Sequence, residues 1–413
     1  MRRTLSTVIA AFVLAVTLTP VHAAEPVSLQ VLLKEAEANN PEIKALREKF
    51  RSKEAKAKVE GAYEDPEFTV DEMSNTTPPN PSKSMQTRYI VSQALPFPGK
   101  LSLKEEAAAK EAGAAASQLR SKELEIEAAV KESYYDYSYL AESIKITEDL
   151  RGILDNMSRI AETRYSTGLV SQQDVIKVQV EKTMLENDLI TLEAEKKIAA
   201  ARLKSLINRP QDYPLGEPLA LPKERITFET QKLMTTALER NPEIKMLEYE
   251  AEAGDANARL AGKSRYPDFM VGAGPVQDFG RFDGVGLMFR VNIPIWYGKY
   301  DNIENAARAD AISARSMLMA QKNNKSFEVK WAALQVEAAD RTRTLYETSL
   351  IPQVEMSFDS ALKNYQSGKV DFLTLLDTER DLKRTRLDYI KSILEYRKRI
   401  AALERAVGVD FNQ

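Results

Sequence analysis

Hydrophobic and polar positions change their period several times along this chain, and the changes come in the same order twice. "NPEIKAL" from Asn40 and "NPEIKML" from Asn241 each open a helical stretch, running to about Tyr63 and about Arg265. Asn40 and Asn241 suit the N-cap, and Pro41 and Pro242 suit the first helical position, where a missing N–H costs nothing. The period then drops to two. In "GVGLMFRVNIPI", Val285, Leu287, Phe289, Val291 and Ile293 alternate with Gly286, Met288, Arg290 and Asn292. Strict alternation predicts a strand with one apolar and one polar face. Phe269, Val271 and Ala273 fall on one side of "DFMVGAG"; Phe68 with Val70 and Tyr89 with Val91 do the same in "EFTVDEM" and "TRYIVSQAL". Strands are therefore expected at about 66–74 and 86–95, and again at about 267–274 and 284–294. A polar, Pro-containing stretch joins each pair, "SNTTPPNPSKSMQ" first and "PVQDFGRFD" second, so each copy carries one hairpin.

Both hairpins end on a hydrophobic-Pro entry and a Gly-Lys pair, in "LPFPGKLSLKEE" and "IPIWYGKYDNIE". Ser102 with Glu105, and Asp301 with Glu304, have the spacing of capping boxes. Each is followed by helical periodicity over roughly 60 residues, about 90 Å at helical rise. Ile126, Val130, Tyr137, Ala141 and Ile144 make one apolar seam; Phe327, Trp331, Leu334, Ala338 and Leu345 make the other. Pro352 should kink the second run. The runs break alike, at "YSTGLVSQQDV" from Tyr165 and "YQSGKVDFLTL" from Tyr365. Gly168 and Gly368 suit the left-handed residue after a helix end. Ser171, with Asp174 in capping-box position, and Asp371 suit the next N-cap. Return helices then run to Asn208 and Val407, with the Pro-rich "RPQDYPLGEPLALPKERITF" between the halves.

A repeat near 200 residues is far too wide for a solenoid. The chain divides into a first repeat at 24–208, a Pro-rich linker at 209–228 and a second repeat at 229–413. The fold class is mainly α with a small β part, internally duplicated.

Composition narrows the chemistry. The 413 residues include 58 basic and 61 acidic ones, with no basic stripe, which argues against a nucleic-acid partner. There is no Cys, and the one His is His22. Arg2 and Arg3, the apolar "VIAAFVLAVTL" and Val21-His22-Ala23 read as a signal peptide at 1–23, cleaved after Ala23. Without its two arginines the mature balance is 56 − 61 = −5. Cleavage removes His22, and with no Cys the mature chain lacks the two residues that dominate zinc and copper sites. No Cys follows the cleavage point to take a lipid anchor. No nucleophile elbow, HExxH or cofactor motif is present, so no enzymatic activity, cofactor or metal is expected. Gly99-Lys100 lacks the upstream glycines of a phosphate loop, and Gly272-x-Gly274 sits in a strand with no helix after it. Tyr134, Tyr135, Tyr137 and Tyr139 are expected to pack between helices.

Four strands of about ten residues have the length to cross a bilayer obliquely, yet membrane barrels need at least eight. An open sheet edge in lipid leaves backbone groups unpaired at several kcal/mol each, so copies must share a barrel. Two copies give eight strands; three give twelve, with room for a pore. The long helices likewise need coiled-coil partners.

In this arrangement the sequence resembles the outer membrane efflux proteins, the TolC-like channels of tripartite export systems. The resemblance rests on the doubled NPEIK helix starts, on "SQALPFPGK" and "VNIPIWYGK", and on the doubled Y-x-[ST]-G-x-V tips. It implies a homotrimer with a twelve-stranded β-barrel in the outer membrane and a helical α-barrel in the periplasm. It further implies a periplasmic adaptor (membrane fusion protein) and an inner-membrane pump, of the resistance-nodulation-division (RND) type. Matched position by position, a Tyr–Asp gate contact falls on Tyr365 and Asp174, and a ring carboxylate on Asp377. Thr374 occupies the other ring position and Val370 that of a basic latch, beside Lys369. The adaptor is expected to dock on Gly168, Leu169, Val170, Ser171, Gly368, Lys369, Val370 and Asp371. Alternatives are the outer-membrane component of a type I protein secretion system, or a periplasmic coiled-coil structural or adaptor protein.

Overall fold

A computed structural model describes residues 26–74 and 84–411. The leader and most of the Pro-rich loop of the first hairpin lie outside these residues. Each half begins with a helix pair, α1 (Leu29–Asn39) with α2 (Pro41–Glu60) and α5 (Thr230–Arg240) with α6 (Pro242–Lys263). The strands are β1 (Glu67–Ser74), β2 (Ser84–Leu95), β3 (Phe269–Asp278) and β4 (Arg281–Val291). The first long hairpin pairs α3 (Lys100–Ser166) with α4 (Gln172–Leu206). The second has α7 (Tyr297–Leu345), a five-residue π-helical turn (Tyr346–Leu350), α8 (Ile351–Gln366) and α9 (Phe372–Val407). The π turn ends just before Pro352, whose missing N–H and ring forbid regular i−4 pairing there.

α1 and α5 have no counterpart in the periodicity reading. Both end on the asparagine that caps the following helix. Asn40 Oδ1 accepts from the Glu42 N–H at 2.8 Å, and Asn241 Oδ1 from that of Glu243 at 2.9 Å.

Two capping boxes do not form. α3 begins two residues before Ser102, after Gly99 in the left-handed region (φ 86°), and the Ser102 hydroxyl donates back to the Gly99 carbonyl. α7 begins at Tyr297, so Asp301 and Glu304 lie inside it, and both take Arg265, just past the end of α6. Ser171 also makes no side-chain cap bond, although α4 starts beside it. A tertiary tie took Asp301 and Glu304, and an early helix start displaced Ser102.

The strands form one antiparallel sheet in the order β1-β2-β3-β4. The two hairpins thus lie edge to edge, with Val91 opposite Ala273 at the seam. β3 runs past its expected end, through Pro275 to Asp278, and β4 begins three residues early and ends at Val291, because Phe279 and Gly280 (φ 44° and 78°) make a two-residue turn. Such a turn matches strand twist. One sheet face is apolar and exposed: Phe68, Val70, Val91, Val271, Val285, Leu287 and Phe289, with Leu287 at 85% exposure. The alternate positions carry Thr69, Asp71, Gly272, Gly286, Met288 and Arg290. Gly274 is required by approach of β2, since a Cβ there would stand 1.6 Å from the Tyr89 carbonyl oxygen. That explains the Gly-x-Gly pair without a ligand. Among the described residues, the outer edges of β1 and β4 have no strand beside them.

Lys100 ties the sheet to the helices. Its Nζ donates to both Asp268 carboxylate oxygens at 2.8 and 2.9 Å and to the Tyr266 carbonyl. The four clustered tyrosines sit on α3, three of them buried, and the hydroxyls of two hold the linker. Tyr134 Oη donates to the Val27 carbonyl and accepts from the Leu219 N–H, and Tyr137 Oη donates to the Gly216 carbonyl.

The seam predicted on α7 is not the buried one, because a second stripe beside it faces the chain's own helices. Val329, Ala332, Ala333 and Val336 are buried against α9, whereas Phe327 (72%), Trp331 (47%), Leu334 (54%) and Leu345 (55%) stay exposed. Among the described residues no helix is long and apolar enough to cross a membrane.

Candidate functional site

The two helical hairpins end in equivalent turns. Gly168 (φ 75°) and Gly368 (φ 77°) take the left-handed conformation that an L side chain resists. The N–H of Leu169 reaches the Arg164 carbonyl at 2.9 Å, and that of Lys369 reaches Asn364 at 2.8 Å. With Gly168 on Tyr165 and Gly368 on Tyr365, both turns are Schellman motifs that satisfy the last helical carbonyls. After the second turn Asp371 caps α9, accepting from the Thr374 N–H at 2.9 Å and its hydroxyl at 2.6 Å.

Beneath the tips the four helix ends share one apolar core. It contains Leu154, Met157 and Ala161 of α3, Val178 and Leu185 of α4, Phe358 and Tyr365 of α8, and Phe372, Leu375 and Leu376 of α9. Val170 and Val370 pack at its rim. Outward at the tips stand Leu169 at 67% exposure, Tyr165, Ser171, Gly168, Gly368, Lys369 and Asp371. The tip therefore offers a small apolar prow on rigid turns.

Tyr365 is almost wholly buried, its ring edge-on to Phe372 at 5.5 Å, and its hydroxyl has no hydrogen-bond partner. Burial, then the nearby Asp174 charge, push its pKa up, against the pull of Arg164. Asp174 is thus near Tyr365 within one chain, half-buried in the first turn of α4, without a direct bond to it. Asp377 is exposed on α9, five residues beyond the buried Phe372, and Thr374 is exposed beside Asp371.

Four charged groups here were not singled out by motif. Arg164 Nη1 donates to the Tyr365 carbonyl, and its guanidinium lies 4.8 Å from the centre of the Tyr365 ring. Glu181 of α4 accepts from Arg380 of α9 at 2.7 Å. Glu379 has no exposure and no partner for either oxygen; burial first, then Glu181, push its pKa up to about 7. The sequence signal for Glu379 is an interruption: Phe372, Leu375, Leu376 and Leu382 are the buried seam, and a carboxylate stands where the next apolar residue belongs.

Among the described residues, no group of three or more His, Cys, Asp or Glu is placed to hold a metal ion. The chemistry of the arrangement is that of packing and charge at the mouth of a helical bundle.

The sequence model described as "Outer membrane efflux protein" matches twice, at residues 32–209 and 233–409. The chain is 23% identical over 394 residues to the cobalt-zinc-cadmium resistance protein CzcC of Cupriavidus metallidurans, covering 94% of this chain and 92% of that one. It is 22% identical to nodulation protein T of Rhizobium leguminosarum bv. trifolii, over 68% of this chain and 62% of that one. Among solved structures, the outer-membrane channel OprN superposes with a TM-score of 0.81 at 17% identity, covering 93% of this chain and 91% of that one. CusC, described in terms of transmembrane channel formation, gives 0.79 at 17% identity over 94% of both chains.

Proposed function

The chain belongs to the outer membrane efflux protein family, and from that premise we propose that three copies join into one conduit with a periplasmic gate. The protein is an outer-membrane efflux channel with a helical periplasmic part. The observation that carries the trimer is the sheet: four strands with an exposed apolar face and no strand beside β1 or β4 among the described residues. In lipid those edges must pair, and β4 of one copy beside β1 of the next closes twelve strands around a lumen. The Thr69, Asp71, Met288 and Arg290 face then lines water, and the Leu287 face meets acyl chains.

The exposed Phe327, Trp331 and Leu334 stripe of α7 supports the same reading lower down, as does an apolar groove on α4 lined by Val175, Ile176, Val180 and Met184. A neighbouring copy's helices would cover both. Tyr365 with Asp174 would hold each protomer's tips closed, and three Asp377 carboxylates would ring the entrance and favour cations. A periplasmic adaptor would dock on the turns around Gly168 and Gly368, and would hand over cargo from an inner-membrane pump of the RND type.

Near full-length similarity to a cobalt-zinc-cadmium resistance protein supports divalent metal cations as cargo. The test is twofold. Purified protein in planar bilayers should conduct in regular unitary steps, and its absence from cells should sensitise them to cobalt, zinc and cadmium. A membrane-inactive protein would overturn the channel assembly; sensitivity to dyes and antibiotics alone would overturn the metal cargo.

A further inference from the structure

We propose that Arg164 is the latch that holds the tips of the two hairpins together, a role resting on the channel reading above. Its guanidinium joins elements 201 residues apart: Nη1 donates to the Tyr365 carbonyl and the cation lies over the Tyr365 ring. It also lies against Gly368, where a Cβ would stand 3.3 Å from Nη2.

The duplication shows how specific this is. At the first tip, a Cβ on Gly168 would meet nothing within 4 Å. The residue in the second half at the position of Arg164 is Asn364, and it turns back to Ser360 of its own helix. One hairpin reaches across, and the other does not.

Electrostatics explains why an arginine suits the place. α3 and α8 both end at this level, at Ser166 and Gln366, so two negative helix termini lie side by side. The Tyr365 carbonyl already accepts the Gly368 N–H, and its second lone pair takes the guanidinium. A planar fork can bond a carbonyl and stack on a ring at once, which an ammonium does less well. Without the cation, the termini repel and the Tyr365 ring loses its cover. Val370, where the family resemblance puts a basic latch, packs instead at the rim of the tip core. The link is therefore supplied from the opposite hairpin.

The test uses the intact protein and two readouts. Hydrogen exchange of the amides in 164–172 and 364–372 should rise about tenfold or more in Arg164→Ala, as expected for losing one charge-assisted bond. Exchange in the sheet and in the α3–α9 core should not change. Arg164→Lys should fall between wild type and Ala. In planar bilayers Arg164→Ala should show a severalfold larger conductance, which a merely structural arginine would not produce. Unchanged tip exchange, or faster exchange with unaltered conductance, overturns the latch. If Arg164→Ala loosens everywhere, Arg164→Lys decides: acceleration confined to the tips supports the latch, and none overturns it. If wild type itself fails to conduct, the channel reading falls, while tip exchange still decides whether Arg164 joins the hairpins.

Discussion

Asn40 and Asn241 make the same bonds in their two halves. Each caps the helix that follows it, and each sends its Nδ2 to the end of a return helix, Asn40 to the Leu206 carbonyl and Asn241 to the Ala406 carbonyl, both at 2.9 Å. One amide thereby satisfies an orphan donor at one helix end and an orphan acceptor at another. This is why a short motif was kept twice at matching places: it fastens the start of each half to its end.

Asn241 gives the first prediction. Asn241→Ala loses the cap and strands the buried Ala406 carbonyl, at about 2 kcal/mol or more. Asn241→Asp keeps a good cap acceptor but has no donor for Ala406, so it should destabilise nearly as much. Thermal or denaturant unfolding checks this; an Asp variant as stable as wild type would show that the cap alone matters.

Glu379 predicts a pH dependence. Its folded pKa is about 7, above the ordinary 4.5, so between those values the native state binds more protons than the unfolded chain. Stability contributed by this group is therefore greatest at low pH and falls as pH rises through that window. The size is on the order of 3 kcal/mol from a shift of that magnitude. Glu379→Gln should be more stable than wild type at pH 7.5 and lose the difference near pH 4.5. Parallel curves for the two proteins would refute the assignment.

Much of this architecture was legible because its signals are local. An asparagine before proline, an alternating run and a glycine after a helical stretch each act within a few residues. The tips and strands followed from such marks. Ser102, Asp301 and Ser171 were misread because the capping box describes an isolated helix end. Here Gly99 starts α3 early, and Arg265 claims Asp301 and Glu304. Periodicity found apolar positions on α7, but it cannot tell which of two stripes faces its own chain. Val329 and Val336 do; Phe327 and Trp331 do not. Glu379 is marked only by interrupting the Phe372, Leu375, Leu376 and Leu382 seam, and Arg164 by nothing local, since no neighbour in sequence marks a cation that serves another hairpin.

The sheet makes a face-specific prediction. Leu287 and Met288 are neighbours on β4, but Leu287 is on the apolar face and Met288 on the other. Leu287→Arg should cost about 2–4 kcal/mol in the membrane and reduce assembled protein. Met288→Arg, on the face that would line the lumen, should be tolerated and change ion selectivity. Heat-stability of the assembled form on gels separates the two; equal loss would contradict the sidedness.

The gate can be tested apart from the latch. Asp377→Asn should weaken block by multivalent cations, since in the proposed trimer it would remove three carboxylates from a narrow ring and lower the local negative potential. If the Tyr365 hydroxyl, unbonded here, meets Asp174 in the closed gate, Tyr365→Phe combined with Asp174→Ala should raise single-channel conductance. Cation block unchanged by the Asn substitution would place Asp377 away from the entrance.

The account depends most on shared closure of the sheet. The measurement that tests it most directly is the mass of the purified assembly in mild detergent, by native mass spectrometry. Three copies of the mature chain per particle is the predicted result, with Leu287→Arg shifting material to single chains. A stable monomer that still conducts ions would contradict it.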